Sequence, residues 1–189
     1  MNRPEPTEAR RGVIVTGGNS GIGRGIARHF SARGYRVAIV GRNAQTLQQT
    51  LLELGPDSLA LAADLCRSDE VAAAVDAVAS AWGVIDVLVN NAGAFSHVLT
   101  GMALADAEKV FRDTIDVHLL GAMRVVTAAM PHLRRPGGRI INISSISAFT
   151  GGKRPGTAAY VAAKAGLNGL TLAWARELSA EGITVNGIA

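Results

Sequence analysis

Ser145, Tyr160 and Lys164 are the residues of this chain whose types and spacing could move a proton. Tyr160 and Lys164 are four positions apart, so on a helix their side chains stand one above the other on the same face. An ammonium beside a phenol stabilises the phenolate, which makes the tyrosine a proton donor and acceptor usable near neutral pH. Ser145 stands at the other end of the same run, which reads Ser-Ile-Ser-Ala-Phe-Thr-Gly-Gly-Lys-Arg-Pro-Gly-Thr-Ala-Ala-Tyr-Val-Ala-Ala-Lys.

A second kind of chemistry is written near the start. Val13-Ile14-Val15 is a short apolar strand, followed at once by Thr16-Gly17-Gly18-Asn19-Ser20-Gly21-Ile22-Gly23 and then by Ile22, Ile26 and Phe30 at helical spacing up to Gly34. Strand, glycine turn and helix together form the context of a dinucleotide site. Gly17 allows the tight turn, Gly21 lets backbone amides approach a pyrophosphate, and Gly23 lets the helix pack against the sheet. A glycine-rich turn without a ligand is the bland alternative. The next strand, Arg36 to Val40, ends in Gly41-Arg42-Asn43, where a carboxylate would accept from the ribose of NAD. A guanidinium there can grip a 2′-phosphate, so the pattern leans to NADP(H); the alternative is a surface arginine at a helix start.

The remaining elements alternate. Asn43 caps a helix carrying Leu47, Leu51 and Leu54; Ser58 to Ala63 is a strand closing in Asp64-Leu65, where Asp64 is either a polar loop residue or, at the carboxyl end of a strand, one that faces the cofactor crevice. Ser68 or Asp69 caps a helix with Val71, Val75, Val78 and Trp82 on one stripe, and Asp86 to Val89 is a buried strand closing in Asn90-Asn91-Ala92-Gly93. A helical stretch runs from Leu104 to about Arg134, with Pro131 placed to kink or end it. Gly138 to Ser145 is the fifth strand, a helix from Thr157 through Glu181 carries Tyr160 and Lys164, and Thr184 to Ala189 is the sixth strand. This alternation predicts an α/β fold, a doubly wound parallel sheet in a three-layer αβα arrangement. Both long helices, 104–134 and 157–181, are apolar over more than one stripe, which predicts a homo-oligomer, a dimer or tetramer.

The 189 residues suit one domain over 11–189 behind a loose tail, 1–10, with 48% apolar residues and only 18% charged. The net charge of +4 comes from scattered basic residues without an aromatic-and-basic strip, so nucleic acid is not the expected partner. A single cysteine, Cys66, excludes an intrachain disulfide and fits a reducing cytoplasm. The polar start is neither a signal peptide nor a membrane span, and no metal-ligand pattern stands out.

Four motifs therefore stand in order: Thr16-Gly17-x3-Gly21-Ile22-Gly23, Asn90-Asn91-Ala92-Gly93, Ser145, and Tyr160-x3-Lys164. Together they resemble the short-chain dehydrogenase/reductase family, nearest in flavour to the 3-oxoacyl-(acyl-carrier-protein) reductases, over residues 10 to 189. The resemblance implies that Tyr160 exchanges the substrate proton, Ser145 bonds the carbonyl or hydroxyl oxygen, and Lys164 supports the tyrosinate and holds the nicotinamide ribose. It implies a cofactor lining of Gly17, Asn19, Ser20, Gly21, Ile22, Gly23, Arg42, Asp64, Leu65, Asn91, Ala92 and Gly93. Hydride transfer between NADP(H) and a ketone or secondary alcohol is the expected reaction; a structural or regulatory NADP(H)-binding module with little catalysis is the second expectation. His118 stands where the family usually has an asparagine that anchors a proton-relaying water. It is expected either to serve that relay or to be a tolerated histidine at a helix irregularity. Family members also continue past a sequence like Val185-Asn186-Gly187-Ile188-Ala189 with a substrate lid, a further strand and a tail. One sheet edge and one pocket wall are thus expected to lie outside these residues. Substrate choice is expected from Ala94 to His97, with Phe95, and from Ala148 to Pro155, with Phe149 and the basic pair Lys153-Arg154.

Overall fold

Runs of Val, Ile and Ala that are apolar on both faces can be satisfied only by a sheet covered on both sides. A computed structural model describes residues 10–94, 97–99 and 101–189, and residues 1–9 of the expected tail, Phe95 and Ser96 therefore lie outside the described residues. It holds β1 (Gly12–Thr16), β2 (Arg36–Gly41), β3 (Leu59–Ala62), β4 (Val87–Asn90), β5 (Arg139–Ile143) and β6 (Thr184–Ile188) in one sheet. The strand order is β3-β2-β1-β4-β5-β6, with every pairing parallel. The order reverses between β1 and β4, and a crevice at the carboxyl ends of those strands is where an open α/β sheet takes its ligand. The expected doubly wound architecture is therefore present.

Two cores flank the sheet. Val13, Val15, Val37, Ile39, Leu47, Val87 and Val89 pack under α1 (Gly21–Ser31) and α2 (Ala44–Leu51). On the other face Ile14, Leu88 and Ile140 meet α3 (Ser68–Trp82), α5 (Gly121–Ala129) and α7 (Ala158–Glu177). The predicted stripe of Val71, Val75 and Val78 is buried there. At the amino ends of the strands, buried Asp86 accepts from the Gly12 backbone N–H at 2.7 Å and from Arg134, which fastens the entry of β1 to β4.

Some boundaries differ from the pattern reading. Asn43 caps α2 as expected, accepting from Thr46 N–H at 3.0 Å, but α3 begins at Ser68 with Arg67 as its N-cap. The stretch 104–134 is not one helix. It is α4 (Leu104–Ile115), a π-helical turn at Asp116–Leu120, α5, and a 3-10 turn at Met130–His132 that contains Pro131. The helix predicted to reach Glu181 ends at Glu177 and is followed by a 3-10 turn. A short helix, α6 (Ser147–Thr150), lies in the segment after β5.

Candidate active site

Thr16, the last residue of β1, is the hub that joins the glycine turn to the end of β4. Its Oγ1 accepts from the backbone N–H groups of Asn91 and Ala92 at 2.9 and 3.0 Å and donates to the Val89 carbonyl at 3.3 Å. The Asn91 amide donates to the Thr16 carbonyl at 2.9 Å, so its side chain is spent holding the two strands together. Gly17 follows with φ 65°, a conformation that glycine enters without the usual steric cost. A Cβ on Gly23 would drive into the Gly17 carbonyl, which is the close turn-to-helix approach that the spacing predicted. The first turn of α1 carries no acidic residue, and its amino end is open to an anion.

These elements border a crevice of about 200 Å³ lined by Gly17, Asn19, Ser20, Gly41, Arg42, Asp64, Leu65, Ala92 and Gly93, with Asn43, Ala94 and Val117 among its other walls. Most of the predicted cofactor residues thus converge on it. Gly21, Ile22, Gly23 and Asn91 do not line it: Ile22 is 69% exposed and turns toward a separate apolar cleft with Ile26 and Phe30. Asp64 Oδ1 accepts from Cys66 N–H at 3.0 Å while the Asp64 N–H donates to Glu70, which shapes the loop after β3. Arg124 donates to the Leu65 carbonyl at 3.0 Å and pairs with Asp116 at 2.8 Å, tying that loop to the π turn. A nicotinamide dinucleotide fits this donor set: a glycine turn in which Gly18 and Gly23 leave no room for a Cβ while Gly21 faces open space, a helix amino end for the pyrophosphate and a guanidinium at the end of β2.

Lys164, Tyr160 and His118 come together beyond Gly93. Lys164, 3% exposed on α7, donates from Nζ to the Ile143 carbonyl at the end of β5, 2.6 Å away. Its Nζ lies 5.8 Å from the centre of the Tyr160 ring, so the predicted shared face exists. Burial pulls the Lys164 ammonium down to about 8. Ser145 follows β5 and its Oγ accepts from Ser147 N–H at 3.1 Å in the first turn of α6. Neighbouring Ser144 donates to Asn168 Oδ1 at 2.6 Å and toward the Lys164 carbonyl at 3.5 Å, which fixes this segment against α7.

His118 is 5% exposed and sits in the middle of the π turn, with its ring edge-on to Tyr160 at 5.2 Å between centres and an angle of 85°. Its Nε2 is 2.7 Å from the Ala94 carbonyl and 3.2 Å from the Ala94 N–H. These contacts ask for opposite tautomers. The carbonyl is nearer and can only accept, so Nε2 carries the proton and Nδ1 is a buried acceptor with no hydrogen-bond partner among the described residues. Burial pushes the imidazole below the ordinary histidine range; the Ala94 bond opposes this and the Lys164 ammonium adds to it. A Cβ on Gly93 would collide with this ring, so the glycine of Asn-Asn-Ala-Gly makes room for the histidine. The loops on either side of the site touch: Val98 N–H donates to the Gly156 carbonyl at 2.9 Å.

Pattern reading missed the buried chain that supports this end of the sheet. Asn90 Nδ2 donates to Asn142 Oδ1, and Asn142 Nδ2 donates to Thr171 Oγ1, both at 2.8 Å. The available signal was an asparagine interrupting the apolar run Ile140-Ile141-Asn142-Ile143.

A family model described as short chain dehydrogenase matches residues 11–189. The chain is 40% identical over 184 residues to the 3-oxoacyl-[acyl-carrier-protein] reductase FabG of Staphylococcus aureus, covering 95% of this chain and 73% of that protein. It is 38% identical, with the same coverage, to the protein of that name in Staphylococcus epidermidis. It is 33% identical over 178 residues to carbonyl reductase family member 4 of Danio rerio, covering 94% of this chain and 73% of that one. Fold, crevice, helical Tyr160-Lys164 pair and these matches agree, and the chain belongs to the short-chain dehydrogenase family.

Proposed function

We propose that this chain is an NADP(H)-dependent oxidoreductase acting on a ketone or secondary alcohol in the manner of a 3-oxoacyl-thioester reductase, with residues 11–189 as its catalytic domain. The observation that carries this reading is the placement of Tyr160 and Lys164 on one face of α7, beside the crevice end at Gly93 and His118. The nicotinamide, when bound, supplies or takes the hydride. Tyr160 gives its phenolic proton to the carbonyl oxygen as the carbon becomes an alcohol, or takes it back in the reverse direction. Ser145 Oγ accepts from Ser147 N–H, which leaves its own hydrogen available to the substrate oxygen. Lys164 holds its charge beside the phenol and favours the tyrosinate left behind. His118 presents Nδ1 as the acceptor for a proton relay toward Lys164.

Arg42 at the crevice supports NADP(H) over NAD(H), because a guanidinium pairs with a 2′-phosphate that a carboxylate would repel. The names of the relatives support a 3-oxoacyl-type substrate. Exposed Ile146 and Phe149 offer an apolar platform, and Lys153 and Arg154 offer charge to an acidic carrier. The exposed apolar residues Leu104 and Phe111 on α4, Leu120 in the π turn and Leu172 on α7 fit a homo-oligomer, a dimer or tetramer. Among the described residues no helix is long and apolar enough to cross a membrane, and the single cysteine fits a cytoplasmic protein.

Ketone-dependent oxidation of NADPH across acyl thioesters, quinones, sugars and steroids tests the activity. Tyr160→Phe is expected to lower turnover by about a hundredfold or more while NADPH still binds; unchanged turnover overturns the mechanism. Arg42→Ala is expected to weaken NADPH about tenfold or more and NADH hardly at all. Equal losses reject the phosphate role. The second reading, a binding module with little catalysis, is favoured by one observation: Lys164 Nζ is already bonded to the Ile143 carbonyl. Tight NADPH binding with no turnover on the panel would select it.

A further inference from the structure

Asn19 in the glycine turn and Gly41 at the end of β2 meet across the mouth of the crevice, and both line it next to Arg42. The orientation of the Asn19 amide is dictated by the helix behind it. With Thr46 Oγ1 on α2 donating to the Asn43 carbonyl at 3.1 Å, it accepts on the side of Asn19, an arrangement that satisfies both contacts at once. Asn19 Nδ2 therefore faces Thr46, at 2.7 Å, and Oδ1 faces Gly41. A hydrogen bond from Thr50 Oγ1 to the Asn19 carbonyl, at 3.5 Å, pins the same residue from the next turn of α2. A Cβ built on Gly41 would lie 2.5 Å from Asn19 Oδ1 and 3.2 Å from its Cγ. Gly41 does not have a positive φ, so the neighbour and not the backbone excludes a side chain.

We infer that Asn19 is a specificity-determining residue that closes position 41 to any acidic side chain and so leaves Arg42 to read the adenosine ribose. This rests on the proposed use of NADP(H). The exclusion is electrostatic as well as steric. A carboxylate at 41 would face the Oδ1 acceptor of Asn19, and two acceptors without a proton between them repel. Turning the amide over would bring Nδ2 toward the carboxylate, but Thr46 would have to swing its hydrogen from the Asn43 carbonyl to Oδ1, and the amide would still stand in the place of the added Cβ. While Asn19 is in place, a side chain at position 41 meets its amide in either orientation.

A four-protein cycle tests this: wild type, Gly41→Asp, Asn19→Ala and the double variant, each titrated directly with NADPH and with NADH by nicotinamide fluorescence. Gly41→Asp alone is expected to weaken both cofactors, by about tenfold or more each, the size of one buried unpaired polar contact. Asn19→Ala/Gly41→Asp is expected to regain NADH by about tenfold over Gly41→Asp and to lose NADPH further. The thermal midpoint without cofactor shows that each protein is folded, and Gly41→Ala, which adds only the colliding Cβ, replaces Gly41→Asp in the cycle if the latter is not. With Ala at 41 the cycle is expected to show the same loss of both cofactors and its relief by Asn19→Ala. Additive effects across the cycle, or NADH binding as tight in the single 41 variant as in the double, overturn the role of Asn19. A wild type that favours NADH overturns the cofactor reading instead, whatever the coupling between 19 and 41.

Discussion

Lys164 and His118 are two bases held where burial penalises their charged forms, and each leaves a mark on stability as well as on chemistry. The Lys164 ammonium is drawn down to about 8 by burial, whereas the unfolded lysine titrates near 10.4. Between those values the unfolded chain binds a proton that the folded chain has released, so stability rises with pH across that window. Below pH 8 the full penalty is present, on the order of 3 kcal/mol. Denaturant titrations at pH 7.5 and 9.5 should show wild type gaining about 2 kcal/mol that Lys164→Met does not gain. Equal changes in the two proteins would mean that the amine is not penalised. For His118 the lowered imidazole acts on the acid side: its stabilising effect is present above about 6.5 and is lost as pH falls below it, when the unfolded ring takes up a proton that the buried ring refuses. His118→Asn should flatten the stability slope between pH 6.5 and 5. An unchanged slope would place the acid sensitivity elsewhere.

Strands and helices position these groups through polar contacts that cross from one element to the next. Asn90 on β4, Asn142 on β5 and Thr171 on α7 form a hydrogen-bonded row in which each residue is buried. The row fixes the end of β4, which continues into Asn91 and Gly93, relative to the helix that carries Tyr160 and Lys164. Replacing Asn142 with Leu keeps the branched shape but strands the buried Asn90 amide, at a cost of about 1–3 kcal/mol, while the Thr171 hydroxyl keeps its bond to the Leu167 carbonyl at 2.7 Å. Thermal unfolding should therefore shift down by several degrees, and cofactor affinity should fall with it as the Asn91 turn loosens; an unshifted midpoint would show that the row is not used. Such ties are poorly legible in a sequence, because each joins residues far apart in the chain. The sheet itself was legible, since apolar runs and glycine turns are local: β1, β2 and the Val71-Val75-Val78 stripe fall where spacing put them. The π turn was legible only as one of two expectations at His118, a helix irregularity without a span, because Thr114 to Gly121 keeps helical composition. The short α6 was hidden for a different reason: Ser147–Thr150 is a single turn, too brief to show a period. Tyr160-Lys164 and the glycine turn were readable as chemistry, whereas the orientation of Asn19 depends on Thr46, which no motif marks.

At the scale of the molecule, charge and apolar surface are distributed unevenly. Arginines scattered through the sequence converge at the amino ends of the strands, where Arg10, Arg11, Arg134 and Arg139 border a cavity of about 560 Å³. That cavity is larger than the crevice, but the crevice lies at the carboxyl ends and the strand-order reversal, where open parallel sheets bind ligands. The apolar surface lies elsewhere. Phe111, Ile115 and Leu120, on α4 and the π turn, line one cleft of about 420 Å³; Phe111 and Leu120 are 40% and 38% exposed. Leu172 on α7 is 70% exposed. Self-association over these helices would remove that surface from water at roughly 25 cal/mol for each Å² covered. It would also clamp the π turn, and with it His118, from outside. Phe111→Asp places a charge in the covered area, where an unpaired carboxylate is costly to desolvate. Sedimentation at micromolar protein should then show wild type as a dimer or tetramer and Phe111→Asp as a smaller species. Because the π turn holds His118 against Ala94, the smaller species should also turn over more slowly, and the wild type should slow toward it on dilution. A monomeric wild type with full activity would remove the interface from these helices.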